Sequence, residues 1–295
     1  MKQYLGIDMG ASSFKYGIGN SRDGLLHFGT VRIHEKSLEA VRQNILALLE
    51  DVKDFHFEGV GLGTPGTIDR KTGKIFGVNP NLKFFTDMSP AELFPKDFPL
   101  PVLYDNDANL MALAESSYEP CRLCFGVTVG SGIGGGIIVD GKIFHGAGGF
   151  AAEIGHTIAV LDGIACNCGM QGCLETYASV DGIRRRLQKA QSPFADMDLP
   201  TIIAQSKSDA FVKKTVAEGE THLIQALANI CNILNPDLIV LGGGAMDLGL
   251  YDIDKIREEV FLRISLAHRK ELKIELARFG NRAGVMGGII LCERS

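Results

Sequence analysis

A chain of 295 residues, 45% hydrophobic and 22% charged, has room for two packed cores and is too apolar to be disordered. Its formal net charge of −5, with no block of Lys or Arg, argues against a nucleic-acid groove or a membrane-surface patch. No apolar run approaches the ~20 residues that cross a bilayer, no signal-peptide layout opens the chain, and seven Cys without an export signal point to reduced thiols or metal ligands in a cytoplasmic protein.

Tyr4–Met9 and Phe14–Gly19 read as two strands around a tight Gly10-Ala11-Ser12 turn, and Leu25–Val31 as a third. Leu38, Val41, Ile45, Leu48, Leu49 and Val52 recur at helical spacing. Val60–Thr64 is a buried strand running into Gly63-Thr64-Pro65-Gly66, and residues 79–98 are loop-rich with three prolines. Val102–Tyr104 predicts a strand and Asp107–Ser117 a helix. Near residue 121 the pattern restarts: Leu123–Val129 and Gly136–Val139 predict strands around a glycine turn, with another short strand at Lys142–Phe144. Gly126–Ser131 echoes Gly6–Ala11, a short echo of an internal duplication. An irregular Cys-rich stretch, 146–176, precedes helices that include one with Leu223, Leu227, Ile230, Cys231 and Leu234 on one face. Leu238–Leu241 predicts a strand before Gly242-Gly243-Gly244, Ile253–Ile264 an amphipathic helix, and Ala283–Cys292 a closing helix. Bursts of strands with helices between them, twice, predict two α/β lobes with mixed sheets, residues 1–118 and 119–280. The last helix, about 281–295, is free to pack back onto the first lobe.

Three glycine clusters carry the first chemical signal. Asp8-Met9-Gly10-Ala11-Ser12-Ser13 and Gly130-Ser131-Gly132 sit between paired strands, where bare backbone can aim N–H groups at anionic oxygen. Asp8 at a strand end could face the Mg²⁺ that travels with ATP, through water. Gly130-x-Gly132-x-x-Gly135 fits a dinucleotide fingerprint formally, but strand-like Ile137-Ile138-Val139 follows where a helix should open. No Walker sequence is present. Either hairpin alone is equally consistent with a tight turn. Together with Gly243 and Gly244 they favour a nucleotide.

His156, Cys166, Cys168 and Cys173 form an H-x₉-C-x-C-x₄-C series in a Gly-rich loop. Soft and borderline ligands of this kind suit tetrahedral Zn²⁺, and four protein ligands would close the shell, making the ion structural. Glu153 and Glu175 bracket the series. A fixed loop would hold both carboxylates in place for sugar hydroxyls; solvated surface groups are the alternative. Asp105-Asn106-Asp107 lies between a strand and a helix. Asp107 could accept the proton of an attacking hydroxyl, with Asn106 orienting, or one of the two aspartates could simply cap the helix.

At these residues the chain resembles the ROK family of repressors, open reading frames and sugar kinases. Gly6–Ser12 and Gly130–Ile137 are similar to its phosphate motifs. Gly63–Gly66, Asn106–Asn109 and Glu153–His156 are similar to its sugar and catalytic segments, and Cys166–Glu175 to its zinc signature. The resemblance implies a two-lobed actin/hexokinase-like (ribonuclease H-like) fold with ATP in a central cleft. It implies that Asp107 is the catalytic base, commonly acting on O6, and that Gly66, Asn81, Asn106, Glu153, His156 and Glu175 contact the hexose. His156 would serve zinc through one ring nitrogen and sugar through the other. Homodimers are common in the family. The family's Gly-Gly-Thr is here Gly10-Ala11-Ser12, which keeps the hydroxyl. The repressor branch carries a DNA-binding domain ahead of this core, whereas this chain starts at the first strand. Two segments, Asp8–Ala11 and Leu241–Asp247, also resemble allose kinases. Glucose is the default substrate; allose, N-acetylhexosamines and fructose stay open, as do polyphosphate as donor and a sugar-sensing regulator without turnover.

Overall fold

The computed structural model describes residues 2–10, 13–77, 82–119 and 121–295. Ala11, Ser12 and Asn81, three of the expected site residues, lie outside them.

The chain opens with a meander of strands β1 (Tyr4–Met9), β2 (Ser13–Asn20) and β3 (Gly24–Arg32). Helix α1 (Leu38–Asp51) starts where Ser37 Oγ accepts the N–H of Ala40, and it buries Val41, Ile45 and Leu48 along one stripe. Strand β4 (Val60–Thr64) is followed by a small hairpin, β5 (Thr67–Asp69) and β6 (Lys74–Phe76). Strand β7 (Val102–Asn106) runs directly into helix α2 (Asp107–Tyr118). Then come β8 (Leu123–Val129), β9 (Ile133–Val139) and the two-residue β10 (Lys142–Ile143). Helices α3 (Glu175–Ala178), α4 (Val180–Lys189), α5 (Leu199–Gln205) and the long α6 (Ala210–Leu234) follow the Cys-rich stretch. Strand β11 (Leu238–Gly242), α7 (Gly244–Asp247), α8 (Ile253–Arg263), β12 (Lys273–Leu276) and α9 (Ala283–Glu293) complete it. Among the described residues no helix is long and apolar enough to cross a membrane.

The chain forms two compact units. The first comprises 1–118, 142–151 and 281–295; the second comprises 119–141 and 152–280. In the first, the strand order is β3-β2-β1-β4-β7, antiparallel through the meander and parallel across β1, β4 and β7. The period of two along β1 sorts its faces. Leu5, Ile7 and Met9 join a core with Val41, Ile45 and Leu48 of α1. Gly6 faces α9 so closely that a Cβ there would lie 2.1 Å from Val285 O, and one on Gly61 would lie 1.9 Å from Gly288 O. Glycine on both surfaces lets the C-terminal helix lie directly on the sheet.

The second unit repeats the plan. Its sheet holds β9-β8-β11-β12 in that order, with β8/β9 antiparallel and β8/β11 and β11/β12 parallel. Its core gathers Phe125, Val127, Ile239 and Leu241 with Leu223, Leu227 and Cys231 of α6. The same antiparallel-then-parallel topology in both units answers to the short repeat seen in sequence. Most expected elements shift by a residue or two, and the larger departures lie elsewhere. Strand β9 begins at Ile133 rather than Gly136, because Gly134, Gly135 and Gly136 pair with Thr128, Val127 and Gly126. The β5–β6 hairpin and β12 are additional.

Candidate active site and metal cluster

In the first unit the parallel strands β1, β4 and β7 end at one edge of the sheet, the edge where open α/β sheets hold ligands. Register places Asp8 beside Gly63, Gly63 beside Asp105, and Thr64 beside Asn106. A Cβ on Gly63 would lie 3.8 Å from Asp107 Cα and 3.2 Å from Leu110 Cδ1, so the bare strand admits the start of α2.

The cap of α2 is chiefly Asn106. Its Oδ1 accepts the N–H of Ala108 at 2.9 Å and of Asn109 at 3.4 Å, while its Nδ2 donates to Gly66 O at 3.1 Å. Gly66 has φ +95°, a backbone conformation that favours glycine. Asp107 is the first residue of the helix, and its Oδ1 also accepts the Ala108 N–H at 2.9 Å. A carboxylate in the first turn is stabilised as the anion.

Asp105 has a different job. Its side chain is 2% exposed and takes hydrogen bonds from Asn109 Nδ2 (2.8 Å), Asn106 N–H (2.8 Å) and Arg70, with His145 Nε2 at 2.8 Å. Burial pushes its carboxyl up. The His145 bond and the neighbouring charges of Arg70 and His145 outweigh that and leave it below the usual carboxylate range. Sequence reasoning missed Arg70 and His145 because no local spacing links them to Asp105.

Asp8 pairs with Lys15, Oδ2 to Nζ 3.7 Å, and packs against α9, where a Cβ on Gly284 would lie 2.6 Å from its Cγ. Burial there pushes its carboxyl up against the pull of Lys15. Gly10 N–H donates to Ser13 O at 2.9 Å, closing the β1–β2 turn.

In the second unit the equivalent edge carries the other glycines. Gly130 N–H donates to Gly132 O at 2.9 Å in the turn from β8 to β9. Gly243, φ +90°, would place a Cβ 2.5 Å from Val129 O, so it joins the ends of β8 and β11 tightly. Gly244 faces open space. Glu153 precedes a 3₁₀ turn that carries His156, whose N–H donates to Glu153 O at 3.0 Å. Glu175 is the first residue of α3.

His156, Cys166, Cys168 and Cys173 offer ligand atoms that all lie within 4.8 Å of one another. Cys168 Sγ and Cys173 Sγ are 3.6 Å apart, and Cys166 Sγ is 3.7 Å from His156 Nδ1. A tetrahedron with metal–sulfur bonds of about 2.3 Å has edges of about 3.8 Å, so the donor set fits one Zn²⁺-sized ion. Nδ1 is the ring nitrogen turned to the cluster. The loop is pinned from below: Tyr177 OH accepts the N–H of Ile164 at 2.9 Å, and Leu174 N–H donates to Thr157 O at 2.9 Å. Cys124, Cys231 and Cys292 are buried packing residues.

Two α/β units with one topology, each gathering glycines at the carboxyl ends of its parallel strands, define the actin/hexokinase-like fold. The ROK family model matches residues 4–295, and the chain belongs to the ROK family. It is 33% identical to a glucokinase of Halalkalibacterium halodurans, covering 97% of this chain and 93% of that one. It is 31% identical to a xylose repressor of Caldicellulosiruptor bescii, covering 93% of this chain and 69% of that one. Among solved structures, a ROK family glucokinase from Streptomyces griseus in complex with glucose and AMPPNP superposes with a TM-score of 0.82. Its sequence is 26% identical, and the match covers 99% of this chain and 100% of that one.

Proposed function

We propose that this chain is a cytoplasmic ATP-dependent hexose kinase, which transfers the γ-phosphoryl group of Mg-ATP to a sugar hydroxyl, with O6 of glucose as the default acceptor. The observation that carries the reading is the near full-length match to the H. halodurans glucokinase. Asp107 at the first residue of α2 is in keeping with it.

In this reading the Asp107 carboxylate accepts the hydroxyl proton as the sugar oxygen bonds to the γ-phosphorus. The bond from that phosphorus to the bridging oxygen breaks, and ADP leaves with its electron pair. Asn106, fixed by Gly66 and by the helix N–H groups, orients Asp107 and the sugar. Gly66, Asn81, Glu153, His156 and Glu175 hold the remaining hydroxyls. Asp8, Gly10, Ala11, Ser12 and Ser13 supply one set of phosphate contacts. Gly130, Ser131 and Gly132 supply the other, with Gly243 and Gly244 beside them. Mg²⁺, when bound, neutralises phosphate charge, and Asp8 would meet it through water. His156, Cys166, Cys168 and Cys173 would hold a structural Zn²⁺ that keeps Glu153 and Glu175 in position. The assembly proposed is a homodimer.

A second reading, a sugar-sensing regulator without turnover, is favoured by the 31% identity to the xylose repressor. An ADP-release assay over a panel of hexoses, with polyphosphate as a second donor, separates the two. The kinase reading expects product with at least one sugar. Sugar binding without product from either donor would leave the regulator.

A further inference from the structure

The Glu175 carboxylate has a protein partner in the glycine turn. Its Oε2 accepts the backbone N–H of Ile133, the first residue of β9, at 3.0 Å. A Cβ on Gly132 would fall 2.4 Å from the same oxygen, so the turn carries no side chain where the carboxylate enters. The segment that follows Glu175 grips the turn twice more. Val180 N–H donates to Gly130 O at 2.9 Å, and Asp181 N–H to Ser131 O at 3.3 Å. A second segment presses on the start of β9. A Cβ on Gly155 would lie 2.2 Å from Ile133 O, and one on Gly135 would lie 2.3 Å from Ala152 O. Residues 173–181 therefore hold the Gly130–Gly132 turn, and residues 152–156 hold the start of β9 that follows it. These are the two segments that the Cys/His cluster joins, since His156 ends one and Cys173 begins the other.

We propose that the metal cluster, acting through Glu175, sets the geometry of the Gly130–Gly132 turn, so that metal occupancy governs the grip on the nucleotide's phosphates as well as on the sugar. The proposal rests on the kinase reading of that turn. Backbone N–H groups bind a phosphate well only when they converge before it arrives. A turn released from Glu175 must be ordered again at each binding event. In this role Glu175 is a positioning residue for the nucleotide.

The test compares wild type, Glu175→Ala, Glu175→Gln and Cys168→Ser by two measurements. One is backbone hydrogen exchange of the peptide spanning 129–139, with α6 as an internal control for global unfolding. The other is calorimetric binding of Mg-AMPPNP without sugar. Glu175→Ala, with metal content unchanged, is expected to speed exchange at 129–139 and weaken AMPPNP about tenfold. Glu175→Gln, whose amide oxygen can accept the Ile133 N–H, is expected to restore both. Chelation of wild type, or Cys168→Ser, is expected to move the same peptide. Unchanged exchange at 129–139 in Glu175→Ala, or unchanged AMPPNP affinity, overturns the coupling. A wild type that binds no AMPPNP would sink the kinase reading, and the exchange comparison would still decide whether the cluster governs the turn.

Discussion

His145 Nε2 lies 2.8 Å from Asp105 Oδ2 although 40 positions separate them in sequence, and Arg70 reaches the same carboxylate oxygen. The trio fastens residues 142–151 to the first unit just ahead of Asn106 and Asp107. Gly148 O takes the Arg70 N–H at 3.1 Å, and a Cβ on Gly149 would lie 2.2 Å from Ile68 O, so the segment is seated along its length. Phe150 adds a ring contact to Phe76 at 5.2 Å.

The Asp105 carboxyl is held below its ordinary range in the folded chain. Its contribution to stability is therefore complete above the unfolded value of about 4 and is lost as pH falls through the lower folded value. Asp105→Asn is expected to cost about 2 kcal/mol at pH 7, because Arg70 loses its partner. It should also flatten the acid limb of stability. Urea unfolding of both proteins from pH 3 to 8 checks this; parallel curves over the acid range would remove Asp105 as its source.

The Cys/His cluster was legible in sequence because its residues are local: three Cys fall within eight positions, and the glycines among them permit the fold-back. The strand–turn–strand hairpins were legible for the same reason. What escaped depends on distant partners. Gly134–Gly136 have poor intrinsic strand preference, yet pairing with β8 makes them strand. Lys273–Leu276 is too short to declare itself until it lies parallel to β11. Asp105 read as a possible cap, but Asn106 takes that role, and the partners that explain Asp105 are 35 and 40 positions away. Gly284, Gly287 and Gly288 did leave a signal. Three glycines inside one helix weaken it unless a backbone approaches closely.

Asp107→Asn tests the proposed base. The amide keeps the shape and the Oδ1 contact with Ala108 N–H but cannot take a proton at neutral pH. Turnover is expected to fall about 10²–10⁴-fold. Sugar affinity, read by calorimetry, should stay within a few-fold. Turnover near the wild-type rate would remove Asp107 from the chemistry.

Cys168→Ser tests the cluster. Cys168 is its exposed thiol and stands 3.6 Å from the buried Cys173. Replacing a thiolate by a hydroxyl leaves a weaker donor for a borderline-soft ion. Elemental analysis should show metal falling well below one equivalent per chain, and the melting midpoint should drop by about 5–10 °C. Wild-type protein treated with a strong chelator should show the same drop, reversed by added Zn²⁺. An unaltered midpoint with full metal loss would mean that the ion does not hold the loop.

The seat of α9 gives the sharpest steric test. A Cβ on Gly61 would lie 1.9 Å from Gly288 O, 2.3 Å from its C and 2.6 Å from its Cα, all backbone atoms that cannot swing aside. Gly61→Ala must push α9 off the sheet or bend β4, at a cost of about 1–3 kcal/mol. Gly284→Ala meets a side chain instead, with its Cβ 2.6 Å from Asp8 Cγ. It should displace that carboxylate, so the loss should fall on Mg-dependent turnover more than on stability. Gly244→Ala, which enters open space, should leave the unfolding midpoint where it was. Chemical denaturation ranks the three variants. Gly61→Ala as stable as wild type would mean that the helix does not rest on β4 in solution.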